Sequence, residues 1–76
     1  MKEQEITLYL NAALDQEACK ATLRAALLSR VESLFQQGIA QALICDSLEI
    51  LCDDEFQLND DVIFEVMEWI YSGQLN

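Results

Sequence analysis

The stretch ICDSLEILCDDEF, residues 44–56, contains the side chains of this sequence that most readily do chemistry. Ser47 follows an aspartate, Cys45 and Cys52 flank the same apolar segment, and Asp53 begins a run of acids. These residue types would suit a carrier serine, a thiol pair or a metal-binding loop. The sequence has no histidine, so it lacks the commonest general base and the commonest transition-metal ligand.

Enzymatic chemistry has little support in these residues. No histidine is present to activate a cysteine, and neither a G-x-S-x-G motif nor a glycine-rich phosphate loop occurs. The three cysteines, Cys19, Cys45 and Cys52, show no C-x-x-C spacing. We predict that they are reduced, half-buried residues that pack as small hydrophobic side chains and make poor nucleophiles beside aspartates. We therefore predict a protein without catalytic residues.

The acidic segment 53–65 comes nearest to a metal site. An EF-hand loop needs oxygen ligands at positions 1, 3, 5, 9 and 12 and a glycine at position 6. If the loop began at Asp53, position 6 would be Leu58 and position 12 would be Phe64. If it began at Asp54, position 3 would be Phe56. Neither frame supplies the ligands, so we predict no metal and no cofactor.

The triplet Asp46–Ser47–Leu48, followed by Glu49, resembles the phosphopantetheine attachment motif of acyl carrier proteins, which are also small, acidic and helical. The resemblance covers less than half of the chain and implies that Ser47 would carry the prosthetic group. In that family the serine lies on a loop at the start of a helix. Here the preceding residues QALIC have a helical pattern, and Ser47 falls within the apolar arc of the helix.

The segment NDDVIFEVMEWIYSGQL near the end is similar to the closing helix of BTB/POZ domains, an apolar helix that ends in Ile-Tyr-(Thr/Ser)-Gly. The matching residues are Phe64, Ile70, Tyr71, Ser72 and Gly73. The rest of that fold needs a sheet and more residues than this chain has. An amphipathic helix that stops at a glycine explains the same pattern.

Length and hydrophobicity predict one small domain with more apolar residues than it can easily bury. The chain has 76 residues, of which 53% are hydrophobic and 24% charged. A chain of this length buries only about 60% of the surface that its unfolded form exposes. The excess favours a homodimer or a docked partner protein. No apolar run reaches the roughly 18–20 residues of a membrane span, and the start lacks a signal-peptide pattern, so we predict a cytoplasmic protein.

Negative charge is concentrated in the second half of the sequence. Residues 1–38 carry five acids and four bases, a net charge of −1, whereas residues 39–76 carry nine acids and no base. The second half thus has a net charge of −9, and the halves sum to −10. Such a field repels nucleic acid and attracts a basic protein surface. We expect some of the bases Lys20, Arg24 and Arg30 to pair with acids of the second half.

The absence of proline and the presence of only two glycines favour an all-α fold. We predict a small three- to four-helix bundle, a single helical domain over residues 1–76, with helices over 3–13, 16–37, 39–54 and 60–72. Asp15 and Asn59 are the predicted N-caps, and Gly38 and Gly73 the predicted helix stops. Residues 4–10 also alternate as a strand would, and this alternative stays open.

The last predicted helix has aromatic residues on two faces. Its apolar side consists of Val62, Ile63, Val66, Met67, Trp69 and Ile70. Phe64 and Tyr71 lie almost opposite, near Glu68. They are either anchors of an interface or rings that rest on a neighbouring helix of the same chain.

The two middle predicted helices, 16–37 and 39–54, differ in which of their residues are expected to be buried. In the helix 39–54 the apolar arc is wide enough to be covered on two sides, and Asp46, Glu49 and Asp53 form its polar face. In the helix 16–37 we assign Cys19 to the buried stripe.

These observations favour a small acidic protein that regulates or inhibits another protein by occupying its basic surface. The first alternative is a DNA or RNA mimic that inhibits a nucleic-acid-binding enzyme, as anti-restriction or anti-CRISPR proteins do. The second alternative is an acyl-carrier-like protein. We predict no direct binding of nucleic acid and no membrane insertion. The predicted partner-binding residues are Phe64, Tyr71, Trp69, Glu68, Glu65, Asp61, Asp60, Asp46, Glu49 and Asp53.

Overall fold

Four helices make up the fold in a computed structural model that describes residues 2–73. Their bounds are α1 Glu3–Leu14, α2 Lys20–Gln36, α3 Gln41–Cys52 and α4 Asp60–Tyr71. No strand occurs within residues 2–73, and residues 4–10 lie inside α1. The prediction of a small all-α bundle is confirmed, and the strand alternative for residues 4–10 is wrong.

The helices form a four-membered ring in which each packs mainly on two others. Helix α1 contacts α2 and α3, and α4 lies opposite α1 and contacts the same two helices. Two ion pairs, Lys20–Asp61 and Arg24–Glu65, join successive turns of α2 to successive turns of α4 in the same order, so these helices run parallel. Helices α3 and α4 run antiparallel around the loop of residues 53–59, hereafter the α3–α4 loop.

The core draws on all four helices. Its fully enclosed side chains include Ile6, Leu10, Leu27, Val31, Leu34, Ile44, Leu48, Ile63 and Val66. The wide apolar arc predicted for the third helix is covered within the chain, by α1 on one side and α4 on the other. Helix α3 buries five of its twelve residues, and its acids Asp46 and Glu49 lie on its exposed side.

Gly38 ends α2 as predicted, because it adopts a backbone conformation that side chains disfavour. Its φ is +84°, and its N–H donates to the Phe35 carbonyl at 3.0 Å. The N–H of Ile39 donates to the Leu34 carbonyl at 3.1 Å, and Ile39 packs against the core. These two bonds form a Schellman motif. Gly73 also has a positive φ of +77°.

Replacing Gly38 with alanine is expected to lower the free energy of unfolding by about 1 kcal/mol. A Cβ atom at this position would meet no atom within 4 Å, so the penalty comes from the left-handed backbone alone. Chemical denaturation of Gly38→Ala and of the adjacent control Gln37→Ala measures it. Equal stability of the two variants would contradict the backbone argument.

The predicted start of the second helix is wrong. Helix α2 begins at Lys20, not at residue 16, because residues 15–19 are used to reverse the chain between α1 and α2. Asp15 is not an N-cap, since its N–H still donates to the Asn11 carbonyl at the end of α1. Asn59 does occupy the N-cap position of α4. However, it makes no side-chain capping bond, and its Oδ1 accepts a hydrogen bond from Lys20 Nζ at 2.8 Å.

Candidate partner-binding surface

Helix α4 exposes Phe64 and Tyr71 along one flank and buries most of its aliphatic side chains. The two rings are 58% and 62% exposed. Asp60, Phe64 and Tyr71 follow the i, i+4, i+11 spacing of one helix flank. On the opposite side Ile63, Val66 and Ile70 are buried. The prediction that Phe64 and Tyr71 point outward is confirmed.

This flank of α4 faces α3. The buried Cys45 thiol of α3 lies beside the Tyr71 hydroxyl, and this contact raises the pKa of Tyr71, with a smaller contribution from the acids Glu49 and Asp46. Burial raises the pKa of Cys45 itself. The raised pKa of Cys52 also comes first from burial and then from nearby acids, among them Asp60. Carboxylates of α3 and α4 therefore lie along the same seam.

We call this surface the acidic α3–α4 face. Its members are Asp46 and Glu49 of α3, Asp53 at the C-cap of α3, and Asp60, Phe64, Glu68 and Tyr71 of α4, all of them exposed. Two aromatic rings thus lie among five carboxylates that make no ion pair within residues 2–73. A surface of this kind combines apolar contact area with a field that attracts cations.

The other two predicted acids of α4 face α2 instead. Asp61 Oδ1 accepts from Lys20 Nζ at 3.1 Å, and Glu65 Oε2 accepts from Arg24 Nη1 at 2.8 Å. The hydrogen bond from Lys20 lowers the pKa of Asp61. The expectation that bases of the first half pair with acids of the second is confirmed at these two positions. The pairs are exposed, so their net contribution to stability is small.

Arg30 does not pair with an acid of the second half. Its Nη1 donates to the Tyr9 carbonyl at 2.8 Å, and its guanidinium lies 4.6 Å from the centre of the Tyr9 ring. With two pairs formed, seven of the nine acids in residues 39–76 have no ion-pair partner within the described part of the chain. Most of the negative charge of the second half is therefore not balanced by ion pairs among the described residues.

Trp69 is more exposed than predicted and lies apart from the other two aromatic residues. It was assigned to the buried side of α4, but 41% of its surface is exposed. Trp69 follows Asp61 and Glu65 at i+4 spacing, so it continues the flank that faces α2. The structure does not bring it together with Phe64 and Tyr71.

Two exposed apolar residues are absent from the predicted partner-binding residues. Phe56 and Leu58 in the α3–α4 loop are 80% and 84% exposed, more than any other large hydrophobic residue described. Helical periodicity carries no information in a loop. The only sign in the sequence is that two large apolar side chains stand within the otherwise polar stretch DDEFQLND.

The candidate nucleophiles differ in their surroundings. Ser47 is fully buried, as the helical wheel predicted, and its hydroxyl donates to the Leu43 carbonyl at 3.0 Å. Cys45 is buried and Cys52 partly so, but Cys19 is exposed, which contradicts its assignment to the stripe of α2. Cys19 precedes the first turn of α2, where hydrogen bonding with Thr22 lowers the pKa of its thiol. All three cysteines are free.

The chain matches no protein-family model, no curated protein and no solved structure. Within residues 2–73, no helix is long and apolar enough to cross a membrane. The same residues contain no group of three side chains suited to hold a metal ion.

Lys20 fixes the α3–α4 loop to α2, so its removal is expected to loosen that loop. Its Nζ donates to the Leu58 carbonyl at 3.0 Å as well as to Asn59 and Asp61. Lys20→Met should lower the hydrogen-exchange protection of amides 57–61, whereas Lys2→Met, a lysine at the start of α1, should not. Unchanged protection in Lys20→Met would contradict this role.

The same contact predicts a pH dependence. Because the pKa of Asp61 is lower in the folded state, its pairing with Lys20 stabilises the fold fully above the unfolded pKa. This contribution is lost as the pH falls through the folded pKa. Protection of amides 57–61 in the wild type should therefore fall part of the way toward that of Lys20→Met at acidic pH, because the bonds from Lys20 to Leu58 and Asn59 remain.

Proposed function

We propose that this chain is a small non-enzymatic regulator or inhibitor that binds a basic surface of another protein through its acidic α3–α4 face. The observation that carries this proposal is the exposure of Phe64 and Tyr71 among unpaired carboxylates. Aromatic side chains are enriched among the residues that dominate binding energy. Carboxylates around them speed the encounter with a basic partner and orient it.

The aromatic rings and the carboxylates should affect different rates of binding. The rings bury apolar area on binding and mainly slow dissociation. The carboxylates act over a Debye length, about 8–10 Å at physiological salt, and mainly raise the association rate. Binding should therefore associate faster at low salt, while the complex persists at high salt.

A nucleic-acid mimic is the second candidate, favoured by the seven unpaired acids in residues 39–76. Closely spaced carboxylates can stand in for phosphates, which occur once per roughly 1.7 Å of DNA axis. The exposed aromatic rings favour the first proposal, because phosphate mimicry alone does not require them.

Affinity capture from the native host's lysate tests the proposal and separates the candidates. The wild type is compared with Asp46→Asn/Glu49→Gln/Asp53→Asn and with the charge-matched control Glu3→Gln/Glu5→Gln/Glu32→Gln. Each triple variant changes the net charge from −10 to −7. A protein retained through high-salt washing and nuclease treatment, and captured less by the first variant only, supports the proposal. Nucleic-acid-binding proteins that DNA competes off would favour the mimic instead, and equal capture by both variants would contradict a specific face.

We also propose that the free chain is a homodimer, since seven large apolar side chains are exposed among residues 2–73. Self-association through the acidic α3–α4 face would bring like charges together, so a different face is expected to form the contact. Light scattering at micromolar concentration should give a dimeric mass, and a monomeric mass would contradict the dimer. Free cysteines in odd number fit a reducing compartment, and we propose a cytoplasmic location.

A further inference from the structure

A cavity of about 280 Å³ opens at one end of the bundle, and its described lining adjoins the acidic α3–α4 face but shares no residue with it. It lies between the end of α1 and the α3–α4 loop, and its apolar lining consists of Leu14, Phe56 and Leu58. Its acidic lining consists of Asp15 and Asp54. This volume falls just below the roughly 300–1,000 Å³ of small-molecule pockets, so it suits one long side chain rather than a larger ligand.

Charge and shape together restrict the occupant. The lining contains two carboxylates and no base. Lys20 donates to the Leu58 carbonyl and to the side chain of Asn59, but its charge is balanced by Asp61 at 3.1 Å. The cavity is therefore negative, and its apolar side chains lie among the polar residues Asn11, Gln57 and Asn59.

Two of the three apolar residues of the cavity are exposed, whereas Leu14 belongs to the hydrophobic core. Phe56 and Leu58 are the two most exposed large hydrophobic residues described. The loop that carries them is nonetheless held in place, because Lys20 bonds Leu58 and Asn59, and Asp54 Oδ1 accepts from the Phe56 N–H at 3.0 Å. A fixed loop that presents a phenyl ring beside a carboxylate is suited to recognise a cation with an extended apolar stem.

We propose that this cavity binds an arginine side chain of a partner protein, at a second site separate from the acidic α3–α4 face. The planar guanidinium would stack on the Phe56 ring and donate to the carboxylates of Asp15 and Asp54. Its methylene stem would lie against Leu14 and Leu58. The ring would supply aromatic contact and the two carboxylates would supply charge-assisted hydrogen bonds, which together distinguish arginine from neutral side chains of the same length.

The test is a titration of ¹⁵N-labelled protein with N-acetyl-leucyl-arginine amide, followed by amide chemical shifts. The control ligand replaces arginine with citrulline, which is neutral and of nearly the same shape. We expect millimolar binding by the arginine compound, with shifts confined to the end of α1 and the α3–α4 loop. Binding by the citrulline compound should be too weak to saturate.

Matched variants make the test specific. Asp15→Asn and Asp54→Asn should each weaken binding about two- to fivefold, and Phe56→Ala by a similar factor. Asparagine keeps an oxygen at position 54 that can still accept from the Phe56 N–H, so the loop should stay folded. The controls Asp46→Asn and Phe64→Ala, both on the acidic α3–α4 face, should bind as the wild type does.

Three results would overturn the proposal: no saturable shifts, equal binding of the citrulline compound, or shifts that extend to Glu49, Phe64 and Tyr71 of the acidic α3–α4 face. The last result would indicate attraction by the net charge alone. Each of them leaves the capture experiment with the α3 variants unaffected, so failure of this site is distinguishable from failure of the proposed function.

Discussion

Truncating Phe64 and Tyr71 to alanine is expected to weaken binding of the partner protein about thirtyfold or more for each ring. Aromatic residues at the centre of an interface typically lose 2 kcal/mol or more on truncation, and each 1.4 kcal/mol is about tenfold in affinity. Both rings are more than half exposed in the free chain, so the fold gains little from them. Their removal should change the free energy of unfolding by only about 0.5 kcal/mol.

Titration calorimetry with the captured partner, run beside thermal melting of each variant, checks this expectation. Tyr71→Phe keeps the ring and removes only the hydroxyl beside Cys45, so it should retain most of the affinity. Leu8→Ala removes an exposed apolar residue from the outer side of α1 and should leave binding unchanged. If Phe64→Ala and Tyr71→Ala mainly lower the melting temperature, the rings belong to the core and not to an interface.

The largest effect on stability is expected from Leu48→Ala, which should lower the free energy of unfolding by about 2–5 kcal/mol. Leu48 is fully enclosed on α3, the helix covered by both α1 and α4. Removing most of its side chain leaves a cavity that two neighbouring helices can fill only by moving. At about 0.05–0.15 kcal/mol per residue, the whole chain has roughly 4–11 kcal/mol of stability, so a loss of about 2–5 kcal/mol is a large fraction of it.

Ile50→Ala is the matched control, because Ile50 lies on the same helix two residues away and is 44% exposed. Thermal and urea denaturation should show a fall in melting temperature of roughly 10–30 °C for Leu48→Ala and a much smaller fall for Ile50→Ala. Similar losses at the two positions would mean that α3 is not enclosed as the structure has it.

The contrast between Phe64 and Trp69 shows how far helical periodicity predicts a binding surface. Phe64 lies within the exposed arc of α4, so the sequence predicts its outward direction. Trp69 lies at the edge of that arc, where exposure depends on how closely α2 approaches. A helical wheel therefore predicts burial least accurately for residues at the edge of an amphipathic face.

The exposure of Cys19 and of Phe56 was not predicted, for a related reason. Cys19 belongs to the apolar stripe only if α2 begins at residue 16, and the turn between α1 and α2 extends to residue 19 instead. Phe56 lies in a loop, where no periodicity relates a residue to the core. Both depend on where helices end, and chain reversals are governed by tertiary packing as much as by local residue types.

The sequence by itself determined the helical class, the end of α2 at Gly38, the burial of Ser47, the outward direction of Phe64 and the concentration of charge in residues 39–76. These properties follow from composition, from a spacing of about 3.6 residues per turn and from glycine's access to positive φ, all of which act locally. Only the tertiary structure decided which acids are neutralised and which are displayed. It pairs α2 with one flank of α4, so that Asp61 and Glu65 meet Lys20 and Arg24. It also folds the α3–α4 loop against the end of α1, which creates the cavity. Contacts between residues about forty positions apart depend on how the helices assemble, and no local pattern in the chain specifies them.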